Sequence, residues 1–240
     1  MGHQGSWPRP ARGLLRAAAE ALGGIGLAGG VIMASYPRWR TWCLTWGATG
    51  DEAAGSWPGD ELLATPDIVS TRAVGIAAPA AAVWPWLVQM GPARGGAYTY
   101  DWIENLGGLG MHSADRIIPE YQDLKVGDTQ ALGARGPVLR VAVLDPERAL
   151  VLRADDGNWV WAFTLVADGV GTRLISRNRI ALPGSGALMR VATRYVMEPG
   201  SLLMERKMLL GIKSRAERVG GHPLVAGADH PDVVSAAVAG

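Results

Sequence analysis

Four strand-like runs follow one another almost without interruption: "PVLRVAVL" (137–144), "ALVLRA" (149–154), "NWVWAFTLV" (158–166) and "TRLISRNRIAL" (172–182). They are joined by "DPER", "DDG" and "ADGVG". Parallel neighbours need a crossover of a dozen residues or more, so connections this short force antiparallel hairpins and a meander. Another strand is expected at about 125–132, and "IVSTRAVGIAA" (68–78) gives one more, followed by a short helix, "PAAAVWPWLVQM" (79–90). The last element is a long helix from Ser201, read as its N-cap, to Val219, stopped by the glycines at 220 and 221. One face of such a sheet has to be covered, and the only long amphipathic element available is that helix. The order predicts an α+β fold in which a curved antiparallel sheet wraps the C-terminal helix.

Composition narrows the function. The 240 residues are 48% hydrophobic and 19% charged, which suits a folded chain with a sizeable core. Basic and acidic residues number 23 and 22, a net charge of +1, so there is no field to attract a polyanion and no nucleic-acid partner is expected. Cys43 is the sole cysteine, which excludes an intrachain disulfide and a multi-cysteine metal cluster. Ten Trp beside one Phe suit a cavity wall or a membrane interface as well as a core.

The N-terminal region, residues 1–45, carries "GIGLAG" (24–29), a formal match to a dinucleotide-binding fingerprint. That motif works only between a strand and a helix, and here helix-like "LLRAAAEAL" precedes it, so no cofactor is inferred. Residues 17–36 contain one charge, Glu20, and a helix of that length spans about 30 Å, a bilayer core. Arg9, Arg12 and Arg16 precede the run, while Arg38, Trp39, Arg40 and Trp42 follow it. A single-pass helix at the cell membrane is the expectation, with a cytoplasmic protein bearing a soluble N-terminal helix as the alternative. Residues 46–67, rich in Gly, Pro and acids, read as a linker, 68–220 as the folded domain, and 221–240 as a disordered tail.

On a helical wheel Leu202, Met208, Leu209, Ile212, Ala216 and Val219 share one arc of the last helix, with Glu205 in its middle. A carboxylate on a buried face needs a partner. If Val166 pairs with Thr172, alternation puts Trp159, Trp161 and Phe163 on one face with Arg177 and Arg179, an aromatic wall carrying two cations that could pair with Glu205 or hold a ligand's carboxylate. A one-residue slip would send one strand's set to the opposite face. In "RGGAYTYDWIENLGGLGMHSADR" (94–116), Glu104 and His112 are acid–base candidates, and Asp115 is spaced to orient the histidine. No nucleophile sits in a recognisable elbow, and one histidine among scattered carboxylates has no metal-ligand spacing, so no metal is expected.

The stretches "WGAT", "PGDEL", "AVWPWLVQMG", "DWIENL", "HSADRIIPE", "LKVGD" and "MERKMLLGIKSRAE", spread over residues 46–218, make the chain resemble the START/Bet v 1-like superfamily (SRPBCC, polyketide cyclase/dehydrase and lipid transport), in an actinobacterial subgroup. The resemblance implies the helix-grip fold with a cavity between sheet and helix. It also implies that residues 94–116 form a short helix and loop at the cavity mouth, with Tyr98 and Trp102 lining the entrance. Two functions stay open. One is a membrane-associated binding protein for a hydrophobic small molecule, with Trp159, Trp161, Phe163, Arg177, Arg179 and Glu205 as wall and polar handles. The other is a cyclase-, dehydratase- or hydrolase-type enzyme using His112, Glu104 or Glu205.

Overall fold

The computed structural model describes residues 36–106, 108–132 and 136–220. The run at 17–35, its glycine motif and the tail from 221 lie outside the described residues. Among the described residues no helix is long and apolar enough to cross a membrane.

The meander is present. Strands β1 (Ile68–Ile76), β2 (Thr129–Ala131), β3 (Val138–Asp145), β4 (Ala149–Ala154), β5 (Trp159–Asp168) and β6 (Gly171–Ile180) form one sheet in the order β1-β6-β5-β4-β3-β2, every pair antiparallel. The strand expected over 125–132 shrinks to three residues, because Lys125 to Asp128 close a turn in which Asp128 accepts the Lys125 N–H (2.9 Å). A bulge at Val141/Val143 shifts the pairing of β3.

Helices α1 (residues 36–44), α2 (Gly50–Ala54), α3 (Ala80–Val88), α4 (Asp101–Leu106), α5 (Ala187–Ala192) and α6 (Glu198–Gly220) complete the described chain. A π-helical turn, Thr193–Met197, links α5 to α6. It sits just before Pro199, which has no N–H to return to the carbonyl four residues back and whose ring crowds that carbonyl; the wider turn accommodates both. The last helix therefore begins earlier than Ser201. That residue lies inside it, and its hydroxyl donates to the Glu198 carbonyl (2.9 Å) instead of capping.

The core lies between the inner sheet face and helices α3 and α6. Leu209, Ile212 and Ala216 of α6 meet Trp86 and Leu87 of α3 and Phe163, Leu165 and Leu174 of the sheet, all buried. Each such side chain contributes about 1.5–3 kcal/mol when fully buried. Val219, expected on the buried arc, is exposed, since it lies in the last turn beyond the sheet.

Residues 46–67, expected as a linker, run across the outer sheet face as ordered structure. Thr49 and Glu52 form a reciprocal capping box at the start of α2. Leu62 and Leu63, from a 3-10 turn at Asp60–Leu63, pack on Val151, Val160 and Ala162. Arg173 holds Glu52 (2.7 and 2.8 Å), which keeps that carboxyl below its ordinary pKa. Gly59 turns the chain onto the sheet at φ 91°, and a Cβ there would lie 2.6 Å from Val151 Cγ1. Gly59→Ala is therefore expected to cost about 1–3 kcal/mol of stability in urea unfolding, from the left-handed backbone and the clash together. A loss under about 0.5 kcal/mol, the range of inert surface changes, would mean that this segment is not part of the cooperative unit.

Candidate functional site

The β5–β6 hairpin decides what faces the helix. The strands run on to Asp168 and Gly171, paired across a two-residue loop in which Gly169 takes φ 60°, so Val166 pairs with Arg173 and not with Thr172. That one-residue difference exchanges the faces of β6. Trp161 is opposite Asn178, Phe163 opposite Ser176 and Trp159 opposite Ile180. Arg177 and Arg179 turn to the outer face, where both meet Asp60 (2.8 and 3.4 Å). Arg179 also donates to the carbonyls of Leu63 and Ala64 (2.9 and 3.0 Å). Neither arginine can hold a ligand in the cavity or pair with Glu205.

The partner of Glu205 is Arg72 in the middle of β1. Arg72 is wholly buried, and its guanidinium pairs with Glu205 while donating to the Cys43 carbonyl (3.0 Å) and the Ser201 hydroxyl (3.0 Å). Glu205 also accepts from the Ser176 hydroxyl (2.5 Å) and the Asn178 amide (3.2 Å). The indole N–H groups join the same network: Trp159 donates to Asn178 (2.8 Å) and Trp161 to Ser176 (3.0 Å). The two indoles stack with centroids 5.7 Å apart, and Trp161 leans on Phe163. The sequence carried a signal for Arg72, which is the only charged residue of its strand.

Beside this network lies a cavity of about 730 Å³. Its wall includes Ile68, Trp159, Trp161, Met197, Met204 and Met208, with Arg72, Asn178, Glu205, Thr99 and Glu104 as polar points. Phe163 is fully buried behind Trp161 and is not part of the wall.

Segment 94–116 is held mainly as structure. The buried Gln89 side chain donates to the Arg116 carbonyl (3.1 Å) and accepts the Ile118 N–H (2.9 Å). Asp101 accepts from the N–H and hydroxyl of Ser113 (2.8 and 2.5 Å). Gly96 lets the chain pass against His112 and Ser113, where a Cβ would come within 2.7 Å of backbone. Tyr98 is buried, donates to the Trp86 carbonyl (2.9 Å) and does not line the cavity; burial pushes its phenol pKa well up. Trp102 is 67% exposed and points away, because Ile103 and Glu104 take the inward side of the short α4. His112 is also exposed, and Asp115 bonds Arg215 (2.8 Å) instead of orienting it. Of the three acid–base candidates, Glu104 and Glu205 line the cavity and His112 does not. Burial raises the Glu104 carboxyl pKa, with Asp101 adding to it against an opposing contribution from Thr99. Among the described residues no group of His, Cys, Asp and Glu has the arrangement of a metal site.

The arrangement is a helix-grip one, a six-stranded antiparallel sheet packed against a long C-terminal helix. Solved structures similar to this chain include the Polyketide_cyc-like protein Cgl2372 from Corynebacterium glutamicum, at 16% identity and TM-score 0.43, covering 64% of this chain and 94% of that one. The KanY protein is similar at 16% identity and TM-score 0.41, over 64% and 99%. DynU16, from the dynemicin biosynthetic locus, matches at 17% identity and TM-score 0.38, over 60% and 47%. No family model matches the chain, and no curated protein does.

Two outcomes follow. Glu205→Ala strands the Arg72 charge in the interior and should cost about 3–5 kcal/mol in chemical denaturation. Replacing both members, Arg72→Met with Glu205→Leu, should cost less than either single change, and a larger loss in the double would refute the pairing. For Glu104 the sign is opposite. A carboxyl whose folded pKa is raised lends stability only when protonated, and loses it as pH rises through that pKa. Glu104→Gln should therefore raise the melting temperature at neutral pH, with the advantage shrinking on acidification.

Proposed function

We propose that the protein binds a hydrophobic or amphipathic small molecule, a lipid or polyketide-like compound, in the helix-grip cavity, and that it does so at a membrane. The observation that carries the binding reading is the cavity, whose roughly 730 Å³ falls within the range of small-molecule sites and whose wall sets two indoles and three thioethers beside the polar cluster of Arg72, Asn178 and Glu205. The polar cluster at its centre is bonded internally, which suits a rigid wall better than a group that must exchange protons each cycle. The alternative, a cyclase-, dehydratase- or hydrolase-type enzyme, keeps Glu104 as its acid–base group, since His112 faces away and Glu205 is committed to Arg72.

The membrane part of the proposal is supported by the apolar run at 17–36 and by a surface next to the cavity. Trp39 and Trp42 of α1, Leu188 and Val191 of α5, and Val196 and Met197 of the π turn are all exposed, and α1 meets the π turn where Tyr36 packs on Tyr195 (ring centroids 4.8 Å apart). Leu188 is 82% exposed, unusual for an apolar helix residue without a covering partner. Of the four arginines in residues 36–44 and 187–197, Arg40 pairs with Glu198 and Arg190 with Asp67, which leaves Arg38 and Arg194 to meet anionic lipid headgroups. Met197 belongs to both this surface and the cavity wall.

Native mass spectrometry of the full chain released from its own membranes should reveal a co-purified apolar molecule, and Met204→Trp, which fills the cavity, should abolish it while the fold persists. Full-length protein that stays empty even after incubation with a total lipid extract would sink the binding reading. Loss of the chain from membranes on alkaline carbonate washing would sink the anchored one.

A further inference from the structure

Helix α1 and the π turn border the cavity together. Leu44 of α1 and Thr193 and Met197 of the turn line its wall. The two elements are joined by three aromatic rings in series, Trp39, Tyr36 and Tyr195, with centroids 5.9 and 4.8 Å apart, and the Tyr36 hydroxyl donates to the Arg194 carbonyl (3.3 Å). Helix α5, which runs into the turn, has no buried residue, and Leu188, Met189 and Val191 are exposed on it. A helix of six residues is marginal in water by itself and draws its stability from whatever covers its apolar side chains. Among the described residues nothing buries them, which calls for a partner outside the domain.

Three observations point to a lipid surface as that partner. Tyr36 is the last residue of the apolar run 17–36, so a run held in a bilayer leaves Tyr36 at the bilayer surface and, through the ring contacts, the π turn with it. Tyr and Trp, each an apolar body with a polar tip, concentrate at that depth, and Tyr36, Trp39, Trp42 and Tyr195 are all of this kind. Residues 36–44 and 187–197 contain no acid. Arg40 and Arg190 are taken by Glu198 and Asp67, while no described carboxylate pairs with the exposed Arg38 and Arg194, so two cations remain for anionic headgroups.

We infer that α1, α5 and the π turn sit among anionic lipid headgroups as the rim of the cavity, and that its mouth opens there onto the bilayer. Leu44 and Met197 belong to the rim and to the wall alike, so a rim seated in the headgroups brings the mouth to the same depth. The ligand is then a molecule dissolved in the lipid, which reaches Trp159 and Trp161 past Met197. The far end of the molecule is the β5–β6 turn, where Val170 is fully exposed. Strand β5 runs there from Trp159 on the cavity wall, ten residues and about 30 Å away. The inference rests on the reading that the protein works at a membrane, and it specifies which face docks and which lipid charge it meets.

A fluorophore at either end tests it. Bimane is attached to the full chain carrying Leu188→Cys or Val196→Cys on the rim, or Val170→Cys at the far end; Cys43 is buried and stays unlabelled. Each protein is reconstituted into vesicles of three parts phosphatidylcholine to one part phosphatidylglycerol that contain a nitroxide-labelled lipid as quencher. The labels at 188 and 196 should be quenched, and the label at 170 should stay as bright as in vesicles without nitroxide. Arg38→Gln with Arg194→Gln should lower the ratio of docked to undocked protein about fivefold for each arginine, the scale of one basic side chain near an anionic surface. Rim labels quenched no more than the label at 170, in protein that stays with the vesicles through an alkaline wash, would overturn the inference and leave the anchor standing. Quenching as strong in vesicles of phosphatidylcholine alone would overturn the anionic assignment. Protein that does not sediment with vesicles of either kind would overturn the membrane reading and this inference together.

Discussion

The buried pair of Arg72 and Glu205 is the constraint around which the other elements arrange themselves. Two charges removed from water gain little net stability over well-packed apolar residues, but each is costly if the other is absent or its remaining hydrogen-bonding positions are empty. Ser176 and Asn178 from β6, Ser201 from α6 and the Cys43 carbonyl near the end of α1 fill those positions. The pair thus ties four pieces of chain far apart in sequence into one geometry. Shifting α6 by a residue, or β6 by one register, would leave both charges unsatisfied. The pair stabilises less than it specifies.

A cavity follows from the same arrangement. The C-terminal half of α6 presents Leu209, Ile212 and Ala216, which pack closely on α3 and the sheet. Its N-terminal half presents Ser201, Met204, Glu205 and Met208, and here Arg72, Asn178 and two indoles stand between sheet and helix. Polar side chains, and stacked rings tethered through their N–H groups to Asn178 and Ser176, do not interdigitate as aliphatic chains do, so space remains. One helix is close-packed at one end and propped open at the other.

The sequence made the architecture legible because hairpin-length connections leave few topologies, and the wheel of the last helix placed Glu205 on the buried side without any coordinates. The identity of its partner turned on a single residue of hairpin register. Five residues between the apolar runs resemble a loop, yet three of them, Ala167, Asp168 and Gly171, pair in the ladder, and only Gly169 and Val170 turn. With period-2 alternation that small misreading moves Arg177 and Arg179 through the sheet to Asp60. Arg72 lies on β1, outside the hairpin whose alternation places the other side chains, although a lone charge in an otherwise uncharged strand needs the same explanation as Glu205. The acidic, glycine-rich residues 46–67 lacked periodicity because capping, a 3-10 turn and ion pairs order them, and none of these repeats along the chain.

Segment 94–116 shows how little residue type says about role. Asp101, Asp115 and Glu104 lie within fifteen positions of one another; Asp101 is bonded twice by Ser113, while Asp115 is exposed and makes a surface pair with Arg215. Asp101 is structural for the same reason that Glu205 is: the fold has already used its lone pairs. Glu104 alone of the three lines the cavity, and burial raises its carboxyl pKa there. Chemistry, whether recognition or proton transfer, requires capacity left over after folding, and in this cavity the conspicuous charge pair at the centre has none to give.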